Sequence, residues 1–461
     1  MTRPSYDVVV LGGGNAGLSA ALAARARGAS VAVIEAAPRH LRGGNSRHTR
    51  NLRVAHERPT SILTDAYTED EFWTDLMRVS GSTDEALARM LIGRSGECVA
   101  WMEGQGARFQ APLKGTLHLG RTNAFFLGGG KALMNAYYAA AERRGIDVEY
   151  DARVDGLQLT GSRFDAAVVA TPDGSRVVRG EAAVLASGGF ESNIDWLREA
   201  WGPAADNFII RGTPYNTGRP LRLMLDAGAE PVGDPTACHA VAVDARAPKF
   251  DGGIVTRLDS LPLGIVVNAR GARFADEGED FWPKRYASWG SLIAAQPDQI
   301  AYAVTDRKVA GCFMPAVFPA IEAATIGELA TRLGLAADAL ESTVRAFNGA
   351  VRPGRFDLET LDDCRTDGLE PAKSHWAQRI DTPPFRANPL RPGITFTYLG
   401  LRVDAEARVM MKGGGAENIY AAGEIMAGNV LRRGYVAGVG MTIGTVFGRI
   451  AGEGAARHAR H

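Results

Sequence analysis

Tyr6-Asp-Val-Val-Val-Leu-Gly-Gly-Gly-Asn-Ala-Gly-Leu18, followed by Val31-Ala-Val-Ile-Glu35, decides the fold. An apolar run from Val8 to Leu11 ends in Gly12, Gly14 and Gly17, spaced G-x-G-x-x-G. An alanine-rich stretch from Leu18 to Arg27 follows, is punctuated by Gly28, and gives way to a second β-branched run that ends on Glu35. Strand, tight turn, helix, strand and acid in that order are the context a dinucleotide fingerprint requires. Gly12 permits the turn, Gly14 lets the backbone approach a pyrophosphate, and Gly17 lets helix and strand pack closely. The helix N-terminus offers free N–H groups to phosphate, and Glu35 is placed to accept from a ribose hydroxyl. An adenine dinucleotide is therefore expected; the plain alternative is a glycine-rich turn in an ordinary α/β fold.

Working outward, the 461 residues exceed what one hydrophobic core usually serves, so two domains are expected. A charged fraction of 23% with zero net charge argues against a nucleic-acid or anionic-membrane surface. The four cysteines, Cys98, Cys238, Cys312 and Cys364, lack C-x-x-C spacing, so no iron–sulfur or zinc site is expected from this chain alone. Their scatter fits reduced thiols, and a first strand near Tyr6 leaves no room for a signal peptide, so the expectation is cytoplasmic.

Farther along, Arg42 to Arg50 is polar and glycine-rich and reads as a loop. A capping box at Ser82 and Glu85 opens a helix, and another helix is expected from Lys131 to Arg144. The strand Ala182–Ala186 runs into Ser187-Gly188-Gly189, a second glycine turn at a strand's carboxyl end. From Thr236 to Trp289 the chain reads as irregular. A helical pair follows, capped at Thr325 and Glu328 and carrying Leu340, Val344 and Phe347 on one face. Prolines from Pro371 to Pro392 read as a return linker. The chain then closes with strand Ile419–Ala422, a glycine-rich turn from Gly428 to Gly440, and a helix from Met441.

Several of these stretches together resemble the fumarate reductase and succinate dehydrogenase flavoprotein superfamily. They are the opening fingerprint, Gly43-Gly-Asn-Ser-Arg47, Ala186-Ser-Gly-Gly189, Val266-Val-Asn268 with Arg273-Phe-Ala-Asp-Glu277, and Ala422-Gly-Glu424 with Phe447-Gly-Arg449. Within it, Gly44-Asn-Ser-Arg-His-Thr-Arg-Asn51, Glu277-Gly-Glu-Asp-Phe281, Gly393-Ile-Thr-Phe-Thr-Tyr-Leu-Gly400 and Gly423-Glu-Ile-Met-Ala-Gly-Asn429 are most similar to FAD-dependent tricarballylate dehydrogenases. The resemblance implies an α/β fold: a Rossmann-like FAD-binding domain of glutathione-reductase type (1–235 and 392–461) with an inserted α+β cap (236–391). It further implies dehydrogenation of a carbon–carbon single bond, with tricarballylate going to cis-aconitate. FAD would be held by Gly12, Gly14, Asn15, Ala16, Gly17, Glu35, Ala36, Gly44, Asn45, Ser46, His48, Ser187, Gly188, Gly423, Glu424 and Gly440. His48 lies near where membrane-complex members attach flavin covalently, but the surrounding string differs, so non-covalent FAD is expected.

The departures bear on substrate. Where soluble fumarate reductases place a catalytic arginine, this chain has Phe281; where they place paired histidines, it has Thr395 and Phe396. Arginine binds carboxylates through a planar fork of donors, which makes Arg257, Arg432 and Arg433 candidate clamps, with His239, Tyr398 and Tyr435 as further substrate ligands. The candidate base is Tyr286, or Arg285 relaying through Glu279. Electrons would leave to a separate iron–sulfur protein. Two rival readings stand: a flavoprotein acting on a corrin precursor or a ketone-activated ring, and a non-catalytic electron-transfer subunit.

Overall fold

A computed structural model describes residues 5–112, 119–313 and 316–460. In chain order, the elements that position the site are β1 (Tyr6–Leu11), α1 (Asn15–Ala26), β2 (Val31–Ile34), α2 (Gly129–Arg143), β3 (Asp147–Glu149), β4 (Gly174–Leu185), β5 (Cys238–Asp244), β6 (Ile265–Asn268), β7 (Ala301–Thr305), β8 (Phe385–Thr397), β9 (Gly414–Ala421) and α3 (Val439–His458). Among the described residues the larger sheet has eight strands, and its parallel heart runs β9-β4-β1-β2-β3.

The register is what matters. Leu11 pairs with both Ile34 and Leu185, and Leu185 pairs with Ala421, so four parallel strands end in line. Each end is followed at once by a stretch singled out in the sequence: Gly12, Glu35, Ala186-Ser187-Gly188 and Ala422-Gly423-Glu424. Strands β1 and β2 are buried throughout apart from Asp7, as continuous apolar runs with both faces covered must be. One cover is α1 packed against α3, drawn close by glycines on α3. A Cβ at Gly448 would stand 2.6 Å from the Ala16 carbonyl oxygen, and one at Gly452 only 2.2 Å from that of Ala20.

A second sheet of six strands is threaded on β8, which pairs antiparallel with β5, β7 and Ile321–Ala323 and parallel with Ile209–Ile210; β6 continues it beyond β7. The mixed α/β architecture is the one expected, but several local readings are corrected. The stretch from Thr236 is not irregular: it supplies β5 and β6, both wholly buried. The prolines up to Pro392 do not form only a linker, because Pro389 and Pro392 lie within β8, which runs through the expected boundary at 391. The helix Glu85–Ser95 is capped by Asp84, whose carboxylate accepts the N–H of Leu87, and not by Ser82. The cap at Thr325 stands as read, Thr325 accepting the N–H of Glu328, but the return bond from Glu328 reaches one residue farther back, to the N–H of Ala324. No helix among the described residues is long and apolar enough to cross a membrane, and all four cysteines are free.

The α1–α3 contact leaves no space for a side chain at Gly452. Gly452→Ala is expected to lower unfolding free energy by about 1–3 kcal/mol, read as a reduced urea midpoint; an unchanged midpoint would show the helices separate freely.

Candidate active site

The four aligned strand ends open onto one cavity of about 620 Å³. At its nucleotide end Gly12 has φ +111°, and a Cβ there would stand 2.4 Å from the Ala186 carbonyl oxygen. Gly17 does not line the cavity; its hypothetical Cβ would lie 1.9 Å from the Gly12 carbonyl oxygen, so it serves the close helix–strand contact. The Glu35 carboxylate accepts the N–H of Gly13 (3.1 Å) and of Ala37 (2.9 Å) and the Tyr138 hydroxyl (3.3 Å). Burial raises its pKa, against the pull of those donors. Ser46 Oγ accepts the Asn15 N–H at 3.0 Å, tying the polar loop to the start of α1. Gly12, Gly14, Asn15, Ala16, Glu35, Ala36, Gly44, Asn45, Ser46, His48, Ser187, Gly188, Gly423, Glu424 and Gly440 all line this one cavity.

Midway lies a buried pair of carboxyls. Glu191 accepts from Asn45 Nδ2 (2.6 Å) and Asn216 Nδ2 (2.8 Å), while Glu424 accepts the Thr397 N–H at 2.8 Å. Both carboxyls lie against Gly189, where a Cβ would stand 2.3 Å from Glu424 Oε1 and 2.9 Å from Glu191 Oε2. Burial, and then the neighbouring Glu191, raise the Glu424 pKa far above the usual carboxyl range, as two close carboxyls cannot both ionise. His48 Nε2 stands 2.5 Å from Asp251 Oδ1; burial still pulls its pKa below that of a free imidazole.

The far end is cationic and aromatic. His239 sits on β5 opposite Phe396 of β8, beside a register shift that re-aims the strand. Its ring stacks on Tyr435 at 4.0 Å, and Phe396 meets Tyr435 edge-on at 5.8 Å. The Tyr435 hydroxyl accepts the Gly440 N–H at 3.0 Å. Tyr286 Oη is 3.5 Å from His239 Nε2, and the Arg257 guanidinium lies 4.7 Å from the Tyr286 ring centre. Burial holds His239 well below its ordinary pKa, and Arg211 and Arg257 push the same way, so the imidazole is neutral. Burial raises the Tyr286 phenol, although Arg257, Arg211 and Arg50 oppose it.

Among the sequence candidates for chemistry, His239, Arg257, Tyr286 and Tyr435 line this end; Arg285, Tyr398, Arg432 and Arg433 do not. Arg285 turns away to Glu279, because adjacent residues on a helical turn point about 100° apart. Trp282, four residues before Tyr286, shares its face and lines the cavity. Tyr398 follows the end of β8 and is wholly buried, its backbone held under Gly233 and Gly428. The Arg432 N–H donates to Ser80 Oγ, and Arg433 is exposed beside Gly81.

Sequence reasoning missed Arg50 and Arg211, which line the cavity here. Arg211 is buried, donates to Thr395 Oγ1 at 2.7 Å, and leaves Nε and Nη1 unpartnered. Burial, then Arg257, bring both guanidiniums down to about 10, still charged at neutral pH. A signal existed: Arg211 follows the buried pair Ile209–Ile210, where an arginine needs a reason, and Arg50 lies inside the polar loop already singled out.

The glycine cradle, the carboxylate at the second strand end and the single cavity spanning all four ends fit a dinucleotide with a long second arm. A sequence profile described as an FAD binding domain matches residues 7–440. The chain belongs to the FAD-binding domain family. FAD is accordingly its cofactor. The chain is 26% identical to the NADH:fumarate oxidoreductase of Klebsiella pneumoniae, covering 99% of this chain but 48% of that relative, so it spans about half the relative's length. It is 28% identical to 4-oxocyclohexanecarboxylate 2-dehydrogenase of Sinomonas cyclohexanicum, over 73% of this chain and 63% of that protein. The fold matches the open conformation of a flavocytochrome c3 fumarate reductase with a TM-score of 0.77, at 24% identity, covering 99% of this chain and 79% of that one.

The carboxyl pair generates a pH signature. Because the folded-state pKa of Glu424 is raised, the stability held by its proton is full below the ordinary carboxyl pKa and is lost as pH rises towards the raised value. Glu424→Gln, neutral at every pH, is expected to flatten the fall of Tm between about pH 5 and 8; parallel curves for the two proteins would contradict the shared proton.

Proposed function

We propose that this family member is an FAD-dependent oxidoreductase that removes hydrogen across a carbon–carbon single bond of a small polycarboxylate, tricarballylate to cis-aconitate being the candidate pair. The observation that carries the reading is Arg211, a buried guanidinium lining the cavity with two unpartnered nitrogens, with Arg50 and Arg257 beside it. Arg257 has its own carboxylate in Asp259, whereas Arg50 and Arg211 form no ion pair among the described residues. One buried and one half-buried guanidinium without an ion-pair partner favour a ligand carrying carboxylates.

FAD, when bound, supplies a hydride acceptor. The chain's own residues do the rest. Arg211 and Arg50 clamp the carboxylates and acidify the adjacent C–H, and Tyr286 takes the proton at Oη while its own phenol hydrogen passes to His239 Nε2. Neutral His239, 3.5 Å away, is placed to receive that hydrogen, so Tyr286 stays uncharged through the transfer. Phe396, Tyr435 and Trp282 keep the reacting carbon away from water. FAD would be held by the residues named at the cofactor end, with His48 engaged by Asp251 and the flavin not covalently attached. Electrons would pass to a separate iron–sulfur protein in the cytoplasm.

A second reading has a specific observation behind it. The Tyr435 hydroxyl accepts the Gly440 N–H at 3.0 Å on the cavity wall, which leaves its own hydrogen to donate to a carbonyl oxygen. A ring activated by a ketone is then the alternative substrate, and the relative named for 4-oxocyclohexanecarboxylate bears both a ketone and an acid in its name.

Anaerobic mixing of the FAD-loaded protein with tricarballylate, other di- and tricarboxylates and cyclic ketones is expected to bleach the oxidised flavin band with the first group. Bleaching by ketones alone would move the assignment to the second reading, and no response to any small molecule would leave an electron-transfer subunit. Arg211→Ala is expected to raise KM, and Tyr286→Phe to lower kcat by about 10²–10⁴-fold; wild-type kinetics in both would end the clamp-and-base scheme. Acid precipitation is expected to release all the flavin into the supernatant, whereas flavin retained in the pellet would show a covalent bond at or near His48.

A further inference from the structure

Asp259 was not a candidate from sequence and does not line the cavity, yet two cavity-lining residues, Arg257 and Trp282, converge on its carboxylate. Arg257 Nε lies 2.5 Å from Oδ1, Arg257 Nη2 donates to Oδ2 at 2.6 Å, and Trp282 Nε1 donates to Oδ1 at 2.8 Å. The guanidinium is thus held by one hydrogen bond and a close ion-pair contact, with the indole hydrogen-bonded to the other carboxylate oxygen, which restrains both side chains. The loop that carries Asp259 is itself pinned to the sheet: Leu258 N–H donates to Ala242 O at 3.1 Å, and Arg257 bridges to Val243. Arg257 and Trp282 then bracket one residue. The guanidinium lies 4.7 Å from the Tyr286 ring centre, and the indole centroid is 6.2 Å from it.

We propose that Asp259 is the positioning residue of the proton-transfer step, fixing Arg257 over the ring of Tyr286 and Trp282 beside it, and cancelling much of the charge that Arg257 brings there. The inference rests on the reading of Tyr286 as the proton acceptor. The groups facing that phenol are Arg257 and Asp259 from the loop, His239 from β5, Arg50 and Arg211 from the cavity wall, and the Tyr435 and Tyr398 hydroxyls. Arg50 and Arg211 are left for substrate carboxylates to neutralise, so Asp259 against Arg257 sets the balance that remains once substrate is seated. A structural loop carboxylate would stabilise the loop equally but would have no bearing on when Tyr286 loses its proton.

Asp259→Asn keeps the size and one acceptor oxygen while removing the charge. In the FAD-loaded protein, the ultraviolet titration of Tyr286 is isolated by subtracting the curve of the matching Tyr286→Phe protein, which cancels the other tyrosines and the flavin. Asp259→Asn is expected to move that titration down by about one pH unit or more, because Arg257 is left uncancelled beside the ring. Arg257→Met is expected to move it up, and carries the test alone should Asp259→Asn fail to fold. A Tyr286 titration unmoved by either change overturns the proposal. If Tyr286→Phe retains full substrate-driven flavin reduction, the base assignment fails whatever Asp259 does. If Tyr286→Phe is inactive and the titration does not move, only the role of Asp259 falls.

Discussion

The constraint on which the structure depends is register. Leu11, Ile34, Leu185 and Ala421 end in line because β1, β2, β4 and β9 are parallel and hydrogen-bonded without a slip at their carboxyl ends. Parallel strands all point their free carboxyl ends to one edge, and loops leaving that edge must share one crevice. Four segments spread along the chain from Gly12 to Glu424 therefore meet. The glycines among them let backbone come close where side chains would not fit: a Cβ on Gly12 would strike the Ala186 carbonyl, and one on Gly17 would strike Gly12.

Strand β8 is the second organising element, because it carries the cofactor end into the substrate end. Within three residues, Thr397 donates its N–H to Glu424, Phe396 faces the aromatic wall, and Thr395 accepts from Arg211 through its hydroxyl. Asn45 of the polar loop donates to the Thr395 carbonyl and to Glu191 and accepts the Thr213 N–H. Thus β8 and one side chain connect the nucleotide-binding sheet, the second sheet and the loop that follows Arg211. A change at Thr395 or Asn45 would be felt at both ends of the cavity.

The cofactor half was legible because its signals are local. G-x-G-x-x-G, an acid after the second strand and two later glycine turns each report a strand end without reference to anything distant. The other half was legible only in part. His239, Arg257, Tyr286 and Tyr435 come to the cavity together with Arg50 and Arg211, from six places in the chain, and no periodicity links them. The misplacements have simple geometry behind them. Arg285 and Tyr286 could not both face inward from one helical turn, whereas Trp282 and Tyr286, four apart, could. Tyr398 shares the parity of Phe396, but β8 ends at Thr397 and the tyrosine turns into the core. The paired arginines Arg432 and Arg433 drew attention by their apolar surroundings; burial of the neighbours did not extend to them.

Charge balance then distinguishes which basic groups hold structure and which await a ligand. Arg257 is matched by Asp259, and Arg47 and His48 share Asp251, so these groups bring little net charge to the cavity. Arg50 and Arg211 have no such partner among the described residues, and the buried Arg211 guanidinium is costly to leave unpaired. A dinucleotide's phosphates would be met at the N-terminus of α1, at the opposite end of the cavity, and do not cancel these two cations. A ligand that arrives with carboxylates would. The same bookkeeping argues against a purely apolar ring substrate, which would leave Arg211 buried and uncompensated, and it accommodates a ring only when that ring also carries an acid.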